Sequence, residues 1–287
     1  MAVKPNYITE AFLNHFITSA LAEDVGDGDH SSLAAIPQSA TSRARLLVKD
    51  DGILAGVEVA WKIFQHVDSR LHINIKLTDG SEIRKGDIAF TVEGPARAIL
   101  TAERLVLNTM QRMSGIATKT KHFTSLIKGT KARLLDTRKT TPNFRLLEKW
   151  AVSIGGGTNH RIGLYDMVML KDNHVDMAGG IENAIIRTKD YLRDGNKKLK
   201  IEVETRSLDE VNEVLRVGGI DIIMLDNMSP AQMKEAVTLI NGRFTTEASG
   251  GVTETSIREI AECGVDFISV GALTHSVKSL DLSLKAW

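Results

Sequence analysis

Beyond Lys131 the chain alternates brief apolar runs with helical stretches, and this alternation restricts its fold more than any other feature. The runs are ARLLD, DMVML, KIEVE, DIIML, FTTEA and DFISV. Short apolar runs separated by helices are the pattern of buried parallel strands in βα units. Nearly every run ends on a reactive or small polar group. ARLLD leads to Asp136, Thr137, Arg138 and Lys139, DMVML to Lys171, and KIEVE ends at Glu204. DIIML leads to Asp226, FTTEA to Ser249, Gly250 and Gly251, and DFISV to Val270, Gly271 and Ala272. In a βα barrel the catalytic groups sit at the C-terminal strand ends, and phosphate sites use the last βα loops. The pattern therefore fits a barrel better than an open sheet. Six strands are clear, and the stretch between residues 150 and 157 is where a seventh is expected.

The upstream chain reads differently. Residues 8–22 place Phe12, Phe16, Ile17, Ala20 and Leu21 at helical spacing, and the glycine-broken EDVGDGDHSS ends that helix. Asp24, Asp27 and Asp29 lack the spacing and closing Glu of an EF-hand loop, so they read as a turn. Residues 42–100 carry short β-like runs punctuated by DDG, TDG and KGD, the signature of a small, mainly antiparallel sheet domain. Residues 101–128 return to helix, with Leu105, Val106, Met110 and Met113 on one side, and bridge the two regions.

Composition narrows the function classes. Lys plus Arg and Asp plus Glu both number 36, so no broad field draws the chain to nucleic acid or anionic lipid. Any anion must be met by a local cluster. No window reaches the roughly 18 apolar residues of a membrane span, so a cytoplasmic location is expected. The single cysteine, Cys263, excludes an internal disulfide and reads as a packing residue in a helical stretch from Ser256 to Cys263.

Residues 136–174 supply the local cluster: Arg138, Lys139, Arg145, His160, Arg161 and Lys171. Converging cations need an anion to offset them, and guanidinium groups bind carboxylate or phosphate in bidentate fashion. Arg145 reads instead as a helical pair with Glu148. Opposite in sign, Glu204 and Asp226 close successive strands, where adjacent carboxylates hold a divalent metal or the vicinal hydroxyls of a ribose. Glu202 shares the Glu204 side by the two-residue strand period, so both are expected to face the barrel interior. The glycine-rich SGG and VGA turns free backbone amides to approach a phosphate. Gly155, Gly156 and Gly157 follow no β run and form no dinucleotide frame. His160, His174 and His275 lack zinc-site spacing and are expected near phosphates. A strand-end lysine is also how Schiff-base aldolases are built, whereas a non-catalytic binding protein would need neither Lys171 nor the acidic pair.

The stretch LLDTRKTTPNFRLLEKWAVSIGGGTNHRIGLYDMVMLKDNH, residues 134–174, closely resembles the signature of the quinolinate phosphoribosyltransferases, the carboxylating nicotinate-nucleotide pyrophosphorylases. The resemblance extends to EDVGDGD, TAERLVLNTMQRMSG, IEVE, IMLDN, EASGGV and ISVGALTHS, nearly the whole chain. A molybdenum-transport-associated homologue shares the fold but resembles DTRKTTP and NHRIG less well. The family resemblance implies an N-terminal α/β sandwich domain plus an open seven-stranded α/β barrel, the type II phosphoribosyltransferase fold. The expected divisions are 1–112, 113–273, and a tail 274–287 packing back on the first domain.

It further implies that Thr137, Arg138, Lys139, His160, Arg161 and Lys171 bind quinolinate and the sugar pyrophosphate. Arg104 resembles an arginine delivered into a partner subunit's site in a homodimer. Glu204 and Asp226 match carboxylates near the ribose hydroxyls and magnesium. Ser249, Gly250, Gly251, Val270, Gly271, Ala272 and His275 match the 5′-phosphate end. Lys139, Lys171, Glu204 and Asp226 are the implied catalytic groups, magnesium is the implied metal, and no organic cofactor, nucleic acid or membrane partner is expected. The pattern departs at Asn143, where glycine is usual, and at Gly218 and Gly219. Asn tolerates left-handed backbone, so the Asn143 turn is expected to survive.

Overall fold

The computed structural model describes residues 4–287, which divide into two compact units. One comprises the residues up to Lys121, Thr140–Gly156 and Leu273–Trp287; the other comprises His122–Lys139 and Gly157–Ala272.

The first unit opens with α1 (Glu10–Val25), where Thr9 Oγ1 accepts the Phe12 amide at 3.1 Å and Gly26, at φ 56°, ends the helix. The helix thus runs three residues past the expected end. Asp29 caps α2 (His30–Ala35), its Oδ1 accepting the Ser32 amide at 3.1 Å, so this member of the acidic series is a cap. Four antiparallel strands form a sheet in the order β12 (Leu282–Ala286), β1 (Thr41–Val48), β5 (Ile88–Pro95), β3 (His72–Ile75). Along β1, Ala44, Leu46 and Val48 are buried while their alternates are not, the period of a sheet with one packed face. The chain's last strand thus returns to pair with its first. β2 (Gly52–Ile53) and β4 (Glu82–Ile83) make a separate short ribbon.

One element here escaped the sequence reading. Residues 57–67, inside the region read as short β-like runs, form α3 (Val57–Val67), which buries Val57, Val59, Ala60, Ile63 and Phe64. Phe64 meets Phe90 of β5 edge-on at 5.9 Å. Asp79 caps α3 from a distance in sequence, its Oδ1 accepting the Val57 amide at 2.9 Å. The long α4 (Ala96–Leu126) follows β5 directly and lies in this unit as far as Lys121, and α5 (Arg145–Ile154) also belongs to it. Gly155 ends α5 against the carbonyl of Ala117, where a Cβ would collide with backbone; this packing is its purpose. Arg145 donates to Thr140 Oγ1 at 2.9 Å rather than pairing with Glu148. Glu148, fully buried, is instead held by Arg112 at 2.8 Å.

The second unit is a parallel sheet in the order β6 (Arg133–Leu135), β11 (Phe267–Ser269), β10 (Thr245–Ser249), β9 (Ile222–Asp226), β8 (Ile201–Thr205), β7 (Val168–Leu170). The seventh position is a single parallel bridge between Leu135 and Thr158, with the Thr158 amide donating to the Leu134 carbonyl at 2.8 Å. Taken around the ring, β6, Thr158, β7, β8, β9, β10 and β11 follow in chain order, with no ladder between Thr158 and β7. That is an open α/β barrel. Between its strands lie α6 (Asp172–Ala178), α7 (Ile181–Asp194), α8 (Leu208–Val217), α9 (Pro230–Ile240) and α10 (Ile257–Glu262), with α11 (Ala272–His275) after the last.

The register sorts the side chains. Leu134, Val203, Ile223, Leu225, Ala248 and Ile268 share the face toward the helices and are nearly all fully buried. Helices α8 and α9 turn Val211, Val214, Met233, Ala236 and Ile240 inward. Glu202, Glu204, Met224, Asp226, Glu247 and Ser249 fall on the opposite face, inside the barrel. Cys263 is buried, its Sγ 3.2 Å from the Glu259 carbonyl, and burial pushes the thiol upward, as suits a packing residue.

Candidate active site

Beyond the carboxyl ends of the parallel strands the structure assembles most of the expected residues. Thr137, Arg138 and Lys139 follow β6, where the Lys139 amide donates to Thr137 Oγ1 at 3.0 Å. Asp136, fully buried at the strand end, accepts the His160 amide at 2.8 Å and the Asn159 side-chain amide at 2.7 Å. It therefore ties the segment after Thr158 to β6. Arg161 is 9% exposed, with Nη1 donating to the Met167 carbonyl at 3.2 Å. Its guanidinium is pulled below the usual arginine range by burial and then by the neighbouring charge of Arg138. Two guanidinium groups close enough to repel make a site that favours an anion.

Lys171 is exposed at the end of β7, in extended backbone just before α6. Its amide donates to His174 Nδ1 at 3.0 Å, so His174 closes a capping box at the start of α6. Glu204, at the end of β8, is pushed upward by burial first and by the Asp226 carboxylate second, while Lys171 pulls it back. Asp226 accepts the Asn227 side-chain amide at 2.7 Å, and the Asn227 backbone amide bonds the Ser249 carbonyl at 2.9 Å. Gly250, at φ 91°, passes so close to Asn227 that any Cβ would strike its side chain and backbone nitrogen. The SGG turn is thus shaped by contact with the turn after β9. The Val270 amide donates to the Leu135 carbonyl at 3.0 Å, which fixes where Gly271 begins the last turn. Arg104, on α4, and His275, on α11, are exposed residues of the first unit.

The sequence pattern missed a buried polar cluster beneath this rim. His160 Nε2 lies 3.0 Å from Glu202 Oε2 and 3.3 Å from Glu247 Oε2, and both glutamates are at least 99% buried. These three residues offer ligand atoms within 4.8 Å of one another. Burial opposes a charged ring, but the two carboxylates outweigh it and push His160 up to about 10. Burial, and then Glu247, push Glu202 upward as well. Geometry at the other nitrogen acts against an imidazolium: the Arg161 amide points at Nδ1 from 2.7 Å and needs a lone pair there. The trio therefore attracts an added proton as one unit.

Comparison with known proteins identifies this arrangement. Residues 116–285 match the quinolinate phosphoribosyl transferase C-terminal domain, and residues 29–114 match the N-terminal domain of the same enzyme. The chain belongs to the quinolinate phosphoribosyltransferase family. The chloroplastic, carboxylating nicotinate-nucleotide pyrophosphorylase of Arabidopsis thaliana is 49% identical over 300 residues, covering 99% of this chain and 86% of that protein. A probable enzyme of the same name from Bacillus subtilis is 39% identical, over 95% and 91% of the two chains. The solved nicotinate-nucleotide pyrophosphorylase of Francisella tularensis superposes with a TM-score of 0.90 at 39% identity, covering 100% and 98%. Both departures from the family motif fall where the backbone is left-handed: Asn143 at φ 61°, Gly218 at 62° and Gly219 at 73°.

Proposed function

We propose that this quinolinate phosphoribosyltransferase family member converts quinolinate and phosphoribosyl pyrophosphate to nicotinate mononucleotide, pyrophosphate and carbon dioxide, a step of NAD biosynthesis. The observation that carries the reading is the separation of charge at one rim: Arg138, Arg161 and Lys171 follow the ends of β6, the Thr158 bridge and β7, while Glu204 and Asp226 close the adjacent β8 and β9. A pyridine dicarboxylate answers the first group and a ribose the second. Arg138, Arg161 and Lys171 hold the carboxylates and so direct the ring nitrogen at the sugar C1. The C1–oxygen bond to pyrophosphate breaks as the ring nitrogen bonds to C1. Glu204 and Asp226 orient the ribose hydroxyls and face the positive charge that develops at the sugar. Loss of the carboxylate beside the ring nitrogen leaves a carbanion that the pyridinium stabilises, and a proton then replaces carbon dioxide at that carbon.

Lys139 and Lys171 counter the charge of the departing pyrophosphate. The turns at 249–251 and 270–272 receive the 5′-phosphate. Glu204 and Asp226 suit a hard divalent cation, being oxygen donors on adjacent strands whose mutual repulsion a cation would relieve. Magnesium, bound there directly or through substrate and water, would supply positive charge to the leaving group. No helix of the described residues is long and apolar enough to cross a membrane, and a cytoplasmic location agrees with that composition.

Purified protein given both substrates and magnesium should release nicotinate mononucleotide and carbon dioxide in equal amounts. Product without carbon dioxide, or no product, would overturn the assignment. The active unit in this reading is a homodimer in which Arg104 completes the partner's site. Mixing Arg104→Ala with Lys171→Ala chains, each inactive alone, should then restore roughly a quarter of wild-type activity, because half the dimers regain one complete site. Exchange of chains without recovery would remove the shared site.

A further inference from the structure

We propose that Asn227 is a positioning residue that holds the Asp226 carboxylate and the turn at 249–251 in one register, so that a sugar hydroxyl and a 5′-phosphate are met at a fixed separation. The consequence rests on the proposed reaction, but the linkage itself stands on geometry. Asp226 and Ser249 are paired at the ends of β9 and β10. Asn227 is the next residue, at φ 53°, and its backbone amide donates to the Ser249 carbonyl at 2.9 Å, one bond beyond the paired residues. Its side chain works in two directions. Nδ2 donates to Asp226 Oδ2 at 2.7 Å, and the Oδ1 end lies over Gly250, where a Cβ would strike it. One amide group thus touches the last residue of β9 and the second residue of the turn that ends β10.

A plain turn does not require this. Glycine meets a left-handed backbone at least as well as asparagine, and Asn227 is exposed, so it adds nothing to the core. Asparagine is suited because its short side chain accepts φ above zero, presents a donor to a carboxylate and adds no charge. Aspartate has the same shape but would set a second carboxylate against Asp226. The need is sharper at Asp226 than at Glu204. Glu204 faces the backbone amide of Asp172, a donor that every residue but proline supplies, whereas Asp226 takes its donor from a side chain. Gly250 is the other half of the fit: at φ 91°, with the Asn227 amide against it, it has no room for a side chain. An Asp226 carboxylate free to rotate would keep its charge, but its oxygens would no longer stand at a set distance from the phosphate turn.

Two binding probes test the proposal without turnover: ribose 5-phosphate carries both groups that Asn227 would hold in register, and inorganic phosphate carries one. Asn227→Gly keeps the left-handed turn and removes the amide. It should weaken ribose 5-phosphate binding on the order of tenfold, the effect of one hydrogen bond to a charged group, and inorganic phosphate binding by much less. Asn227→Asp should bind ribose 5-phosphate more weakly still, and both variants should melt near wild type. Kinetically, both should raise the phosphoribosyl pyrophosphate KM and leave the quinolinate KM near wild type. Gly250→Ala should do less harm in an Asn227→Gly background than alone, because the side chain that the new methyl strikes is gone. Equal losses for the two probes, a lower melting temperature with unchanged ribose 5-phosphate binding, or fully additive effects with Gly250→Ala would overturn the role. Wild-type protein that does not bind ribose 5-phosphate would overturn it together with the proposed reaction. If wild-type protein binds ribose 5-phosphate but makes no nicotinate mononucleotide, only the reaction assignment fails, and the binding series still decides Asn227.

Discussion

The two rims of the parallel sheet are built from similar residues and treat their charges in opposite ways. At the amino-terminal rim, Asp266 accepts the Thr246 amide at 2.9 Å, its hydroxyl at 2.7 Å and Lys131 Nζ at 2.9 Å. Asp221 accepts the Ile201 amide at 2.7 Å. Burial works against the Asp266 carboxylate, yet the Thr246 and Lys131 bonds outweigh it and hold the group below its ordinary range. At the carboxyl rim the shifts run the other way. Glu204 is raised by burial and by Asp226, and Arg161 is lowered by burial and by Arg138. The first rim uses charge to stabilise the fold, and the second holds like charges together for a ligand to neutralise.

That contrast is broken most directly at the arginines. Replacing Arg161 by Ala should lower kcat/KM for quinolinate by on the order of 2 to 5 kcal/mol of transition-state stabilisation, because a carboxylate loses a desolvated partner. Melting should change little, since the variant also removes a buried cation that the charge of Arg138 disfavours. Collapse of the fold with Arg161→Ala would place this rim with the scaffold.

Glu204→Gln separates the two roles within one residue. A carboxyl whose folded pKa is raised binds its proton more readily in the folded state, so stability falls as pH rises from the unfolded value through the raised one. At neutral pH the ionised group is then a burden that glutamine removes. Turnover should drop on the order of 100-fold while the melting temperature holds or rises. A lower melting temperature across neutral pH would contradict this reading.

Asp266→Asn should do the reverse, with a smaller effect. Its side chain is 37% exposed, so the loss is about 1 kcal/mol. Because the folded pKa is depressed, the contribution is present above the ordinary carboxylate value and lost as pH falls through the folded one. The melting difference between wild type and Asp266→Asn should therefore shrink in acid, with kinetics near wild type throughout. A kinetic defect would join the two rims.

Much of the carboxyl rim was legible because a reactive residue after an apolar run is a positional signal: Arg138, Lys171, Glu204 and Asp226 all fall where their runs end. The layer beneath was harder. Glu202 could be placed inside by alternation with Glu204, but Glu247 hides within FTTEA, where its only signal is a charge sharing a face with Ser249. Its partner His160 is 87 residues away in sequence, and no local pattern links them. α3 was missed because VEVAWKIFQHV begins on the last residue of the β-like run GILAGV, and its cap is Asp79, 22 residues beyond Val57. The seventh barrel position escaped a strand search because one bridge at Thr158, rather than a run of β-formers, holds it.

The central claim is that the cations of the carboxyl rim are arranged for a molecule with two carboxylates, and side-by-side kinetics with quinolinate and nicotinate test it most directly. With only one carboxylate to share, Arg161 and Lys171 would stay partly unneutralised around nicotinate, a cost on the order of 2 to 5 kcal/mol. The account predicts that quinolinate is used at least about 30-fold better in kcat/KM at equal phosphoribosyl pyrophosphate. Equal use of nicotinate would contradict it.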